Sequence, residues 1–266
     1  ARQIFLNDCN TSKITSLESM FYYCRQLEVL DLSNWNTSNV TSTYQFLWYC
    51  NKLISIDVSS FDTSNVFNMG RMFGECYNLT EIKGLENFDT RSSNGFAAMF
   101  QSCNTLKELD VSSFDTSNAS WLLYMFFGCR SLEKIKGLEN FNTSKNKSFG
   151  DMFAFCANLK ELDLSSFDTS CSIEFNYMFQ ACTNLQSLNL SNFNTEKAEA
   201  YTGMFSICKN LKNIYVSKNF ENTSIATSTS MFDDCPNLVG GAGTAYDPAF
   251  TDATAARIDG GSENPG

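Results

Sequence analysis

Nine cysteines close copies of the phrase Met-Phe-x-x-Cys or a near variant of it: Cys24, Cys50, Cys76, Cys103, Cys129, Cys156, Cys182, Cys208 and Cys235. Successive intervals are 26 or 27 residues. A period that steady is the mark of a stacked repeat. A unit of this length cannot enclose its own apolar side chains, so each must share its interior with the units before and after it.

Each unit has two parts. After the Cys comes x-x-L-x-x-L-D-L-S-S-F-D-T-S, in which Leu162 and Leu164 alternate as in a short strand, between Leu159 and Phe167. The segment ending in Met-Phe-x-x-Cys carries apolar or small residues at −3, 0, +1 and +4 from the Met, as in Leu17, Met20, Phe21 and Cys24. At 3.6 residues per turn these share one face, which predicts about two turns of amphipathic helix. The expected fold is an α/β repeat: a solenoid of about nine 26–27-residue units, each with a short strand and a short helix, over residues 1–238. The three longer units add their residue before the Phe slot, in IKGLENF at 82–88 and 135–141 and in IYVSKNF at 214–220. Gly84 and Gly137 there suit a bulged strand exit. Residues 239–266, with six Gly and two of the three Pro, do not match a unit and are expected to form a cap and linker.

Units such as LDLSNWNTSNVT, LDVSSFDTSNASWLLYMFFGC and LDLSSFDTSCSIEFNYMFQAC resemble the BspA-like leucine-rich repeats of bacterial surface proteins and lipoproteins, and the closing GGAGTAYDPAFTDATAARIDGG resembles the tail that often follows such arrays. The resemblance implies a right-handed solenoid on an exported, cell-surface bacterial protein, often assigned to adhesion. Asn-x-Ser/Thr triplets at Asn36, Asn78, Asn118 and Asn142 beside stacked strands also fit a bacterial source better than a eukaryotic secretory one.

Charge and composition exclude several functions. A net charge of −10 and an isoelectric point near 4.5 argue against nucleic acid and anionic membrane as partners. The chain has no His, which removes the usual general base and the commonest metal ligand. No phosphate-binding or calcium-loop spacing occurs, no run of about eighteen apolar residues is present, and the first ten residues do not read as a signal peptide. The reading is non-enzymatic, with no cofactor, no metal, no direct membrane insertion and a monomeric state.

Four columns repeat from unit to unit. The nine cysteines read as small buried thiols rather than disulfides, with Cys9 in the Phe slot of its unit and also in the core, and Cys171 as the accessible thiol. Asp62, Asp89, Asp115 and Asp168 alternate with Asn36, Asn142 and Asn194, the exchange expected of side chains that cap the following amides in Asx turns rather than bind calcium. Asp57, Lys83, Asp110, Lys136 and Asp163 alternate in sign, so stacked neighbours should attract. Threonines 11, 37, 63, 90, 116, 143, 169 and 195 form a fourth column, for which local turn hydrogen bonding is a simpler reading than an ice-binding array.

If −3, 0, +1 and +4 point inward, then −1 and +2 point out, flanked by −2 and +3. There the units stop agreeing, and aromatic residues concentrate where a merely wet surface would carry Lys, Glu, Ser and Asn. The candidate ligand-binding residues are Tyr22, Tyr23, Tyr44, Gln45, Trp48, Tyr49, Arg71, Trp121, Tyr124, Phe127, Phe155 and Tyr177. The expected function is a recognition or adhesion module that binds a host or environmental protein or a glycan. Two alternatives stand beside it: Tyr at +2 or +3 leans over the next unit as packing, or the whole array is a stalk presenting another domain. Trp35 takes the Phe slot and belongs to the core.

Overall fold

The computed structural model describes residues 1–220 and 227–253. Eight short strands recur among the described residues: β1 (Gln3–Phe5), β2 (Val29–Asp31), β3 (Ser55–Asp57), β4 (Glu81–Lys83), β5 (Glu108–Asp110), β6 (Lys134–Lys136), β7 (Ser187–Leu190) and β8 (Asn213–Val216). They pair in parallel, β1 with β2, β3 with β4, β5 with β6 and β7 with β8, in one-to-one register, so that Ile56 lies against Ile82 and Leu109 against Ile135. The chain is a repeat coil of the β-solenoid kind, each unit laid on the next.

The expected helix is a different structure. No α-helix occurs among the described residues, and the Met-Phe-x-x-Cys segment is a run of turns. Amides at −3, −1, +1 and +3 donate to carbonyls of the next unit: Leu17 N to Ser42 O (2.9 Å), Ser19 N to Tyr44 O (2.9 Å), Phe21 N to Phe46 O (3.0 Å) and Tyr23 N to Trp48 O (2.8 Å). Amides at 0, +2 and +4 close local turns, as Met20 N does on Leu17 O, Tyr22 N on Ser19 O and Cys24 N on Phe21 O. Residues at −1 and +3 are left-handed, for example Ser19 (φ 54°) and Tyr23 (φ 61°), or Arg71 (φ 58°) and Glu75 (φ 58°). A left-handed third residue in a turn closed from the first carbonyl to the fourth amide is the type II pattern.

Left-handed residues four apart bring −3, 0, +1 and +4 to the same side, as a helix would. Met69, Met72, Phe73 and Cys76 are all fully buried. The period therefore identified the inward positions while naming the wrong backbone. What favours the turns is stacking: a helix closes its hydrogen bonds on itself, whereas here half the amides are free to join one unit to the next.

The interior is built from columns. Phe73, Phe100, Phe126, Phe153, Phe179, Phe205 and Phe232 form one unbroken stack, with successive centroids 5.5–5.9 Å apart and planes within 10°. At these separations the rings are offset, the favoured parallel geometry. A second column holds Trp35 over Phe61, Phe88 over Phe114 and Phe141 over Phe167. Trp35 is core, as expected, and its Nε1 donates to Leu6 O at 3.1 Å.

Each thiol of the repeat column from Cys50 onward donates to the carbonyl of the +1 residue one unit back, as Cys156 does to Phe126 O (3.0 Å) and Cys208 to Phe179 O (3.0 Å). No disulfide links the cysteines, and burial pushes thiols such as Cys129 and Cys182 up to about 12, so they stay neutral donors. Cys171 is exposed, as expected, but so is Cys9. Met20, in the same first unit, is 42% exposed.

The threonine column is buried and its bonds run between units, not locally. Thr63 Oγ1 donates to Asp89 O (3.0 Å) and accepts from Asp89 N (2.9 Å), and Thr37 bridges to Asp62 in the same way (3.0 and 2.7 Å). The Asx turns are present, with Asp62 Oδ1 accepting from both N and Oγ of Ser64 (3.0 and 2.7 Å). Hydrogen bonds of the same kind hold the Asp115 and Asp168 carboxyls below the usual value. The alternating charges are in register, Asp57 with Lys83 and Asp110 with Lys136, yet the ion pair Lys136 makes is with Glu108 at 3.8 Å. In the longer units Gly84 (φ 88°) and Gly137 (φ 92°) lead into 3-10 turns at Leu85–Asn87 and Leu138–Asn140.

One junction departs from the pattern. Leu122 N, at −3, donates to Asn146 Oδ1 (3.0 Å), and Asn146 Nδ2 donates on to Ser148 O (3.0 Å), so a buried amide is inserted where a direct bond stands elsewhere. Past the last unit, Val239 bridges Ala245 antiparallel, Thr251 O accepts from Phe232 N (2.8 Å), and Leu238, Tyr246 and Ala253 pack against the core. The linker expected in the final residues lies outside the described residues.

Candidate binding face

Because each turn segment stacks on the next in register, positions −4, −2, −1, +2 and +3 form a grid on the outer surface. Rows of the grid are about 4.8 Å apart, the spacing of paired strands. The twelve candidate residues all fall on it, but they differ in cover. Tyr22, Tyr23, Arg71, Trp121 and Tyr124 are exposed; Tyr44, Gln45, Tyr49, Phe127, Phe155 and Tyr177 are partly covered; Trp48 is buried, only 7% exposed.

The cover has a simple cause. An aromatic ring in one unit lies over a glycine in the same column of the next. A Cβ on Gly74 would meet Trp48 Cζ3 at 2.1 Å, one on Gly203 would meet Tyr177 Cδ1 at 2.6 Å, and one on Gly70 would meet Tyr44 Cδ2 at 3.4 Å. For Trp48 and Tyr177 the leaning-over alternative describes the geometry. Their rings are walls of the face more than free contacts.

Two aromatic clusters result. In the first three units, Tyr22 and Tyr23 are 4.6 Å apart, Tyr23 and Tyr49 4.5 Å, and Trp48 and Tyr49 5.7 Å. Arg25 lies 4.4 Å above Tyr23 and 5.6 Å from Tyr49, while Arg71 lies 5.0 Å from Trp48 and 5.9 Å from Tyr44. Below them Glu75 is buried and accepts from Gln101 Nε2 (2.7 Å) and Ser102 Oγ (3.3 Å). Tyr77 also bonds Glu75, which with burial pushes its phenol to about 12. Sequence reasoning passed over Arg25, one residue beyond the Cys and outside the four positions taken as outward.

The second cluster spans units five and six. Tyr124 and Phe127 are 5.7 Å apart, Phe127 and Phe155 5.4 Å, and Trp121 is 45% exposed at the edge. Beside it Tyr124 hydrogen-bonds the Asp151 carboxylate. Glu174 accepts from Ser148 Oγ (2.8 Å) and Asn176 Nδ2 (3.2 Å). Asp163 Oδ1 accepts from Ser165 N (3.0 Å), away from this cluster, while Asp151 lies close enough to Glu174 to feel its charge.

Burial, and secondarily the Glu174 charge, raise Asp151 from 3.8 to about 6, against a lowering by the Tyr124 hydrogen bond. A carboxyl raised on folding stabilises most below its unfolded value, and that contribution is lost as pH rises from 3.8 through about 6. Asp151→Asn should therefore melt close to the parent protein at pH 4 and above it at pH 7.5. A melting difference that stays flat with pH would show that Asp151 ionises normally.

The sequence model of the family described as "Mycoplasma protein of unknown function, DUF285" matches residues 2–82, 50–160 and 124–241, which together take in the whole coil. The chain belongs to the DUF285 family. Among solved structures, this DUF285 chain is similar to a leucine-rich repeat protein from Bacteroides ovatus (16% identity, 90% of this chain and 65% of that one, TM-score 0.44). It is also similar to a leucine rich cell surface protein from Faecalibacterium prausnitzii (14%, 81% and 73%, TM-score 0.28) and to the plant peptide hormone receptor RGFR1 in complex with RGF2 (15%, 81% and 32%, TM-score 0.34). The DUF285 chain thus spans about two thirds of the Bacteroides ovatus protein, 65% of its length. No curated protein matches the chain. The bacterial leucine-rich-repeat likeness read from its units agrees with the first two of these relatives. No helix among the described residues is long and apolar enough to cross a membrane.

Proposed function

We propose that this DUF285 chain is a non-enzymatic recognition module of a bacterial cell surface that binds a partner protein through the outer grid of its turn segments. One observation carries the reading: inward columns hold the same residue types in unit after unit, while the outer grid varies and leaves Tyr22, Tyr23, Trp121 and Tyr124 open to solvent. The rings of Tyr22, Tyr23 and Tyr124 each have another aromatic ring within 5.7 Å, so little side-chain freedom is lost when a partner covers them, and Tyr, Trp and Arg are the residues that dominate binding energies. The surface placement rests on the likeness of the units to bacterial surface-protein repeats, and adhesion to a host or environmental protein is the role that fits it.

The test is an immobilised panel of extracellular-matrix proteins and glycans offered to the parent chain and to a Tyr22→Ala/Trp121→Ala variant. Both side chains are exposed, so melting should move by only about 2 °C, whereas affinity for the protein bound by the parent should fall about thirtyfold or more. Glycans retained in place of proteins would change the partner class. A chain that binds nothing on the panel would leave the array as a spacer, and equal binding by both forms would move the contact away from the exposed rings of the outer grid.

A further inference from the structure

We infer that Arg25 and Arg71 are paired anchors for the carboxylates of an acidic segment in the partner protein, laid along the aromatic row of the second unit. The inference rests on the recognition reading above and names its partner's chemistry.

The geometry of the row is specific. Tyr44, Trp48 and Tyr49 belong to one unit, and a guanidinium sits at either end of them. Arg71 lies over Tyr44 and Trp48, and Arg25 lies over Tyr49 and Tyr23. Rings and guanidiniums follow one another without a gap from Tyr44 to Tyr22. Stacking on a ring face restricts a long, flexible side chain and leaves the edge of the guanidinium, which carries its N–H donors, turned outward.

Neither cation is neutralised by the protein itself. Arg2 pairs with Glu28 and Arg91 with Asp89, but among the described residues neither Arg25 nor Arg71 lies within ion-pair distance of a carboxylate. Glu75 is the acid beneath the row, and it is buried with its carboxylate held by the neutral donors Gln101, Ser102 and Tyr77. Unpaired cations are common on this chain, Arg130 among them; what sets Arg25 and Arg71 apart is that both lie over rings of the same aromatic row.

A guanidinium binds a carboxylate through two parallel N–H···O bonds, a stronger and more directional contact than a lysine would give. Between the two anchors, the partly exposed ring of Tyr49 offers apolar contact for the intervening side chains, with the buried Trp48 as the wall beside it. An extended peptide with separated Asp or Glu residues matches that order of cation, ring and cation. The Trp, Tyr and Arg set is that of protein hot spots, which favours a peptide over an acidic sugar.

The experiment pans a displayed library of random dodecapeptides on the intact chain, on an Arg25→Gln/Arg71→Gln variant and on an Arg130→Gln control, with an array of acidic oligosaccharides run beside it. Arg130 is exposed and its guanidinium contacts no ring, so its loss should change nothing. Peptides selected by the parent chain should be enriched in Asp and Glu, bind the double variant about tenfold more weakly or worse, and keep their affinity for the control. The same peptides with Asp and Glu exchanged for Asn and Gln should lose affinity equally. If selected peptides show no acidic bias, or bind the double variant as well as the parent, the anchors are refuted while the recognition reading stands. If the parent selects no peptide and retains acidic oligosaccharides, the partner class is wrong; if it retains neither, both readings fall.

Discussion

Gly84→Ala is expected to destabilise the protein by about 2–6 kcal/mol, and Gly137→Ala by a similar amount. Both positions are left-handed, at φ 88° and 92°, which an L side chain adopts only under strain. Both also face the previous unit at close range: the added Cβ would stand 2.4 Å from Cα and N of Ser59 in one case and of Ser112 in the other. These are backbone atoms one unit back, so no rotamer change relieves the clash, and the coil must open there. Gly241→Ala makes the control, since nothing lies within 4 Å of its Cβ. Urea midpoints would report the loss, and because a solenoid unfolds by local blocks, amide exchange should accelerate first around Ser59 or Ser112. A loss below about 1 kcal/mol would mean that neighbouring units are not locked at the contact the structure shows.

What the sequence disclosed was the stacking and the direction of nearly every core side chain. Nine cysteines at intervals of 26 or 27 residues announced a stacked coil, and the −3, 0, +1, +4 pattern picked out residues such as Met72 and Phe73 that are fully buried. The backbone between them was not legible. Turns with a left-handed residue every fourth position repeat close to the period of an α-helix, so apolar spacing cannot separate the two. The usual flag would be glycine, but only Gly128 and Gly203 take the left-handed positions of these columns, and residues such as Tyr23, Arg71, Tyr124 and Asp151 take the rest. Stacking supplies the free energy that a local preference does not.

The candidate face shows the same division. That −1, −2, +2 and +3 point outward followed from the period, and Tyr22, Tyr23 and Tyr124 are open as a result; Trp121, open at −4, lies just outside that set. Which rings would lie flat was hidden, because it depends on a residue 26 positions away: Trp48 is covered where Gly74 leaves room for it, and Tyr177 leans on Gly203. An aromatic followed one unit later by Gly in the same column is the signal that would have found them. Arg25 was missed because its guanidinium reaches back over Tyr23, outside its own column.

Thr63→Val should cost about 2–5 kcal/mol although it keeps the shape of the side chain, while Thr63→Ser should cost about 1 kcal/mol or less. Thr63 is buried, and its hydroxyl bridges a gap in the ladder: it gives its hydrogen to Asp89 O at 3.0 Å and takes that of Asp89 N at 2.9 Å. Valine fills the same volume with a methyl group, so it leaves a carbonyl and an amide of the next unit without partners, each at about 1–3 kcal/mol. Serine keeps both bonds and loses one methyl. Comparing the two variants by urea unfolding separates the hydroxyl from the packing, and exchange at the Asp89 amide places the damage. If valine proved as stable as serine, the threonine column would be filling space, and cohesion between units would rest on the aromatic stacks and the turn ladder alone.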